Sequence, residues 1–121
     1  MSDFKSFKDL LIWQKGVLLV KTIYTNLEGF PKDEIFGLQN QIKRAAISIP
    51  SNIAEGWGRS STISYIHFLK IARGSLFELE TQIIIATNEL NFISDLKFNE
   101  ITQLITEESK MLNAFIKSLS K

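Results

Sequence analysis

The stretch from residue 61 to residue 91 carries the longest regular pattern of apolar residues in the chain. Two interleaved series share a seven-residue spacing, one made of Tyr65, Ala72, Leu79 and Ala86 and the other of Leu69, Leu76, Ile83 and Leu90. Such an a/d seam over four heptads lines one side of a single helix. At about 1.5 Å per residue this helix would be roughly 45 Å long. A small domain that contains it therefore needs other long helices beside it.

Three further segments have apolar residues at helical spacing, and none shows the alternation typical of a strand pair. With the 61–91 segment they give four predicted helices, at about 8–27, 32–56, 61–91 and 95–119. Asp95 is expected to cap the last of them. Short connections favour an all-α, antiparallel up-and-down four-helix bundle. The chain is therefore predicted to form one domain over residues 1–121.

Pro50 lies inside the second predicted helix. Proline has no backbone N–H, and its ring crowds the preceding turn. Because Ala45 and Ala46 reduce that crowding, we predict a continuous helix that is kinked near Pro50. The alternative is a new helix that starts with Pro50 in its first turn.

The glycines of Gly56-Trp57-Gly58 invite comparison with a phosphate-binding loop. Such loops follow a strand and carry further glycines or a Gly-Lys pair, and the sequence shows neither here. The better interpretation is a helix end, with Gly56 or Gly58 in the left-handed conformation. Ser60 or Ser61 would then cap the next helix.

Composition argues against most catalytic chemistry. The chain has no cysteine and a single histidine, His67, which is not part of a Glu-x-x-His motif. Metal-ligand clusters and oriented nucleophiles of the usual kinds are therefore missing. We expect no catalytic residue, no metal and no cofactor, and hence no enzyme. No apolar run approaches the roughly 20 residues of a membrane span, so the expected location is the cytoplasm, away from the membrane.

Charge is unevenly distributed along the chain although its net value is only +1. Residues 43–73 have a formal charge of +4, whereas residues 74–108 have −6. The basic residues of the first segment form a candidate nucleic-acid-binding strip: Lys43, Arg44, Arg59, Lys70 and Arg73. In that interpretation they contact phosphates and Trp57 offers a ring for base stacking. The other interpretation, which we favour from the residues alone, is a set of surface ion pairs, such as Arg44 with Glu55 or Arg73 with Glu80.

Two further side-chain rows on the predicted helices lack an obvious place in the core. One is a polar stripe beside Arg44 that faces either a subunit or a partner, made of Gln41, Ser48, Asn52 and Glu55. The other is a set of surplus apolar residues that we assign to an oligomer interface, namely Phe36, Ile66, Phe77 and Ile84. Helices that are apolar on a second face bury it by association or expose a patch. Self-association is the favoured interpretation. One alternative is a bundle whose core is larger than the seams alone suggest, and another is a different protein partner for the apolar face.

Several strings in residues 7–85 resemble one protein family. They include Phe7-Lys8-Asp9-Leu10, the stretch QIKRAA at 41–46, SIPSNIAEG at 48–56 and GSLFELE at 74–80. The chain resembles, in these strings, the four-helix-bundle proteins called 23S rRNA intervening-sequence proteins. The fourth helix matches only in its general pattern.

The resemblance implies a bacterial cytoplasmic bundle that assembles as a homo-pentamer. A related branch serves as the accessory protein of diversity-generating retroelements, where the pentamer binds a reverse transcriptase and RNA through a basic surface. For this chain the resemblance therefore implies a non-enzymatic scaffold whose partners are its own copies and either RNA or DNA or a nucleic-acid-associated protein. A protein-interaction module that binds no nucleic acid is the alternative.

Overall fold

The computed structural model describes residues 5–120 and contains four long helices. They are α1 (Leu11–Thr25), α2 (Leu38–Trp57), α3 (Thr62–Ile84) and α4 (Asp95–Leu119). Within residues 5–120 there is no strand, so the predicted all-α four-helix bundle is confirmed. Residues 1–4 and 121 of the predicted domain lie outside the described residues.

Contacts between consecutive helices establish the antiparallel order. Along α2 and α3, Ser48 lies against Ser75, and Gly56, further along α2, lies against Tyr65, which is earlier in α3. Helix α4 also packs against α1, closing the bundle. There Leu11 at the start of α1 lines a cavity with Phe115 near the end of α4, and Asn26 after the end of α1 lies 3.5 Å from Glu100 near the start of α4. These two helices are therefore antiparallel.

The core lies along the bundle axis and draws on all four helices. Its largest fully buried side chains are aliphatic: Leu19, Ile23, Leu27, Ile42, Ile49, Ile53, Leu69, Leu76, Leu79, Ile83, Ile101 and Ile105. Burying a side chain of this size contributes about 1.5 to 3 kcal/mol. The predicted a/d seam of α3 supplies the centre of this core.

The first two helices begin later than predicted, in each case because a short 3-10 turn precedes them. Residues Phe7–Asp9 form one such turn, and Leu10 is extended before α1 begins. Residues Lys32–Glu34 form the other. The acidic start that predicted a helix from residue 32 has a different role, because Glu34 Oε1 accepts a hydrogen bond of 3.1 Å from the backbone N–H of Leu38. Glu34 thus caps α2 from outside it.

Helix α2 runs unbroken through Pro50, as the preferred interpretation predicted. The expected left-handed glycine at its end was wrong, because no glycine among the described residues has a positive φ. Gly56 is required for a different reason. A Cβ at this position would lie 2.9 Å from Cδ1 of Tyr65 and 3.0 Å from Cβ of Phe68. The glycine lets α2 and α3 approach closely before Ser61 caps α3 by accepting from the N–H of Ser64.

Helix α3 ends differently from the prediction because a π-helical turn, Ile85–Glu89, replaces its last α-helical residues. The turn changes the helical phase, so Thr87 is buried and Leu90, predicted in the seam, is 42% exposed. Asn91 then adopts φ 56° and leads into the connection. The predicted Asp95 cap was also wrong, since Ser94 Oγ accepts from the N–H of Lys97 and Asp95 is the first helical residue.

Two glycine substitutions test the close approach of α2 and α3. We expect Gly56→Ala to destabilise the fold by about 1 to 3 kcal/mol, because the new methyl group overlaps Tyr65 and Phe68. The matched control is Gly74→Ala in α3, where an added Cβ meets no atom within 4 Å. That change should stabilise the helix by about 0.5 to 1 kcal/mol. Urea unfolding measures both, and equal effects of the two substitutions would contradict the close approach.

Candidate functional site

The predicted polar stripe lies on the side of α2 that faces α3, and its middle joins the two helices. Ser48 Oγ and Ser75 Oγ are 2.7 Å apart, within hydrogen-bonding distance. Asn52 Nδ2 donates to the backbone carbonyl of Ser48 at 2.8 Å and to its hydroxyl at 2.9 Å. A buried polar group is tolerated where it is hydrogen-bonded. Ser48 and Asn52 therefore have a structural role within this chain.

The start of the stripe borders a polar cavity of about 540 Å³ between α2 and α3. Its lining comprises Phe36, Asn40, Gln41, Arg44, Ala45, Ser48 and Glu78. Arg44 and Glu78 have opposite charges, yet within residues 5–120 neither forms an ion pair. Phe36 stands at the cavity with 90% of its surface exposed. This part of the stripe has charged and hydrogen-bonding groups available to a ligand or a neighbouring molecule.

The five basic residues of the predicted strip lie in different places. Lys43 Nζ is 4.7 Å from the centroid of the Tyr24 ring in α1. Arg73 Nη1 donates a 3.0 Å hydrogen bond to Asn113 Oδ1 in α4. Arg44 borders the cavity between α2 and α3. The structure therefore places these three in three different interhelical grooves.

The remaining two basic residues differ in their contacts. Arg59 pairs with Glu55 one turn earlier and lies 4.5 Å from the ring centroid of Phe68. Glu55, the last residue of the polar stripe, is therefore occupied by Arg59 and not by Arg44. Lys70 is exposed on α3, without an ion pair to any described residue. Of the five predicted basic residues, only Arg44 and Lys70 have charged groups that remain available to bind a ligand.

The four apolar interface candidates are not equivalent. Phe36, Phe77 and Ile84 are exposed, at 90%, 51% and 40% respectively. Ile66 is partly buried and packs against the core. The structure brings Phe77 and Ile84 onto one face of α3, whereas Phe36 lies in the turn before α2.

A heptad row on the outside of α3 was not recognised as a unit in the sequence. We call it the outer row; its members are Ile63, Lys70, Phe77 and Ile84. All four are exposed, and Ile63 is exposed to 84%. Residues seven apart lie on the same side of a helix. The stronger a/d seam on the opposite side of α3 masks this second periodicity.

Sequence reasoning also missed a fully buried carboxyl group, that of Glu108 in α4. Neither carboxyl oxygen has a hydrogen-bond partner among the described residues. Its position continues the core pattern of α4, in which the buried residues are Ile101, Ile105, Glu108, Leu112 and Ile116. This helical spacing could have indicated that Glu108 is buried. The polar residues next to it in the sequence made the position look like part of an exposed face.

Gly16 of α1 makes room for the carboxyl group of Glu108. A Cβ at Gly16 of α1 would lie 3.2 Å from Glu108 Oε2 and 3.5 Å from Cβ of Pro50 in α2. Glycine at this position therefore admits the carboxyl group beside the proline. Burial favours the neutral acid and raises the pKa of Glu108 from its ordinary value of 4.5 to about 8, while the charge of Lys15 opposes the shift.

The pKa of the neighbouring Glu107 shifts in the opposite direction. Its Oε1 accepts a 2.8 Å hydrogen bond from Lys15 Nζ at the surface. That bond, with further help from Gln103, lowers the pKa of Glu107. Adjacent residues of α4 therefore hold one ionised carboxylate outside the bundle and one neutral acid inside it.

The described residues offer no cluster of three or more metal-ligating side chains. None of the helices they form is long and apolar enough to cross a membrane. The fold and the surfaces together define a small helical bundle with a polar interhelical cavity and apolar residues on its outside.

Comparison with known proteins places this bundle in a family. The family model of the 23S rRNA-intervening sequence protein matches residues 8–114, and the chain belongs to that family. A solved structure, described as a protein of unknown function from the S23 ribosomal protein family of Bacteroides thetaiotaomicron, has the same fold. It is 24% identical, the match covers 88% of this chain and 96% of that chain, and the TM-score is 0.80. No curated protein matches the chain.

Protonation of Glu108 makes stability depend on pH. Because its folded-state pKa is near 8 and that of the unfolded chain near 4.5, its contribution is fully present below pH 4.5. Stability should then fall as pH rises from about 4.5 to 8, with a slope approaching 1.4 kcal/mol per pH unit. Denaturant unfolding at several pH values measures this slope.

The isosteric variant Glu108→Gln should lose that fall in stability, since an amide does not titrate. Glu107→Gln is the matched control, one residue away at the surface, and should retain the fall. Parallel curves for the wild type and Glu108→Gln between pH 5 and 8 would show that Glu108 is not protonated in the fold.

Proposed function

We propose that the protein is a non-catalytic, homo-oligomeric scaffold that assembles through the outer row of α3. The observation that carries the proposal is the exposure of Ile63, Phe77 and Ile84 at heptad spacing on a helix whose opposite side already fills the core. A helix that is apolar on two sides gains stability when the second side is also buried. Heptad spacing suits packing against another helix.

A second copy is the proposed occupant because the outer row continues over three heptads, about six helical turns, which is long enough to pack along another helix. Residue 63 lies in the first turn of α3 and residue 84 is its last residue, so the row extends over the helix's full length. Lys70 interrupts it with one charge, which a neighbouring copy can place at the edge of the contact. Resemblance to the intervening-sequence proteins supports a ring of five copies.

Assembly predicts a mass in solution that is a multiple of the 13.8 kDa chain, with five copies expected. Phe77→Asp should weaken assembly by roughly a hundredfold, which corresponds to about 3 kcal/mol from the lost burial of an aromatic ring. Sedimentation velocity over a range of concentrations measures both. Val17→Asp, at a residue of α1 with comparable exposure, is the control that should leave the mass unchanged.

A monomeric wild-type protein would overturn the proposal and would favour a different protein partner for the outer row. A reverse transcriptase is one such partner, implied by the resemblance to retroelement accessory proteins. An assembly that Phe77→Asp leaves intact would instead locate the subunit contact on another surface.

Nucleic-acid binding is a second candidate function, favoured by the free basic groups of Arg44 and Lys70. Both are exposed and lack ion-pair partners in residues 5–120. Guanidinium and ammonium groups in this state bind phosphates. The dispersal of Lys43, Arg59 and Arg73 limits the contact to a few phosphates for each copy, so assembly would increase its strength.

Binding to a single-stranded RNA should weaken steeply with salt, and the joint variant Arg44→Ala, Lys70→Ala should bind at least about tenfold more weakly. Lys43→Ala, Arg73→Ala removes the same charge from residues with partners in neighbouring helices and is the control. Fluorescence anisotropy at several salt concentrations provides the measurement. Binding that is absent, or equal in the two double variants, would exclude this candidate.

A further inference from the structure

An apolar groove lies between the start of α1 and the end of α4, away from the outer row. It consists of two adjoining cavities of about 380 and 400 Å³ that share Leu11 and Met111 as lining residues. Ala114 and Phe115 line one cavity, and Leu18 lines the other. Leu11 is exposed to 68%, so the groove presents an apolar surface to the outside.

The edge of this groove is basic. Lys110 and Lys117 lie four residues before and three residues after Ala114, which places them beside it on α4. Both are exposed, and neither forms an ion pair within residues 5–120. Lys15 on the opposite wall is already neutralised by Glu107. An occupant of the groove should therefore combine apolar side chains with carboxylates.

The opposite end of the bundle carries a surface of that composition. Leu96 in the first turn of α4 is exposed to 80%, and Leu90 in the preceding connection is also exposed. Three exposed carboxylates accompany them, those of Glu89, Asp95 and Glu100. Lys97 is the one basic residue between positions 89 and 100. We call this surface the acidic tip.

We infer that the apolar groove receives the acidic tip of a second copy of this chain. Leu96 would enter between Leu11 and Phe115, with its neighbouring carboxylates facing Lys110 and Lys117. A chain cannot fill its own groove, because residues 96 and 114 lie about 27 Å apart along one straight helix. The contact joins two different surfaces, so it links copies head to tail.

This contact is independent of the outer row. The row lies on α3, whereas the groove lies between α1 and α4 and the acidic tip at the start of α4. A substitution that disrupts the contact through the outer row should therefore leave the contact between the groove and the acidic tip intact.

The absence of cysteine in the chain permits a direct test by disulfide trapping. A Leu96→Cys chain and an Ala114→Cys chain are mixed under mild oxidation, and the mixed disulfide is quantified by non-reducing electrophoresis. We expect about tenfold more mixed disulfide than from an Ile47→Cys chain with the same Ala114→Cys chain. Ile47 in α2 is also exposed, and it belongs to neither the acidic tip nor the outer row.

The excess of mixed disulfide should be smaller at 1 M salt than at 0.1 M salt, because the electrostatic screening length drops from about 10 Å to about 3 Å. Lys110→Glu and Lys117→Glu in the Ala114→Cys chain should abolish it, with circular dichroism as the check on folding. It should persist when both chains carry Phe77→Asp, which separates this contact from the outer row. No excess over the Ile47→Cys control, or an excess insensitive to charge reversal, would overturn the inference.

Discussion

The close packing of α2 against α3 is the contact on which the other features of the bundle depend. Small residues allow it: Gly56 meets Tyr65 and Phe68, and Ser48 meets Ser75 through a hydrogen bond. Because this contact fixes the rotation of both helices, it directs the a/d seam of α3 inward. The outer row is left on the exposed side, and Arg44 and Glu78 border the same cavity.

The buried acid of α4 introduces a tension into an otherwise aliphatic core. Gly16 of α1 leaves space for the carboxyl group of Glu108, and Pro50 of α2 lies against the same glycine. Each is a poor choice for a helix interior by its intrinsic propensity. Gly16 and Pro50 nevertheless lie against each other near Glu108, so α1 and α2 both lose intrinsic helix stability at the place where the acid is buried. The neutral acid then lies where ionisation would disfavour the folded state.

Periodicity in the sequence was sufficient to predict the four helices, because a strong apolar pattern over many residues outweighs local detail. The range of α4 was predicted correctly for this reason. The start of α2 was not, since Glu34 acts as a cap and residues 32–34 form only a 3-10 turn. Acidic residues occur both in the first turn of a helix and in a capping turn just before it. Their presence at residues 33 and 34 therefore does not fix where α2 begins.

The candidate site was predictable along one helix but not between helices. Spacing placed Gln41, Arg44 and Ser48 on one side of α2, and the structure agrees. The residues opposite them depend on the antiparallel register of α2 and α3, which a single sequence does not contain. For the same reason the basic residues, which looked like one strip, separate into several grooves.

The π-helical turn at the end of α3 decides which residues this end of the bundle exposes. A π-helical turn holds one more residue than an α-helical turn, because its hydrogen bonds join residues five apart. Here the turn Ile85–Glu89 still buries Ala86 and Thr87. Leu90, which uninterrupted α-helical spacing would place in the seam, is instead exposed. The change of helical phase thus moves one apolar residue from the core pattern to the acidic tip.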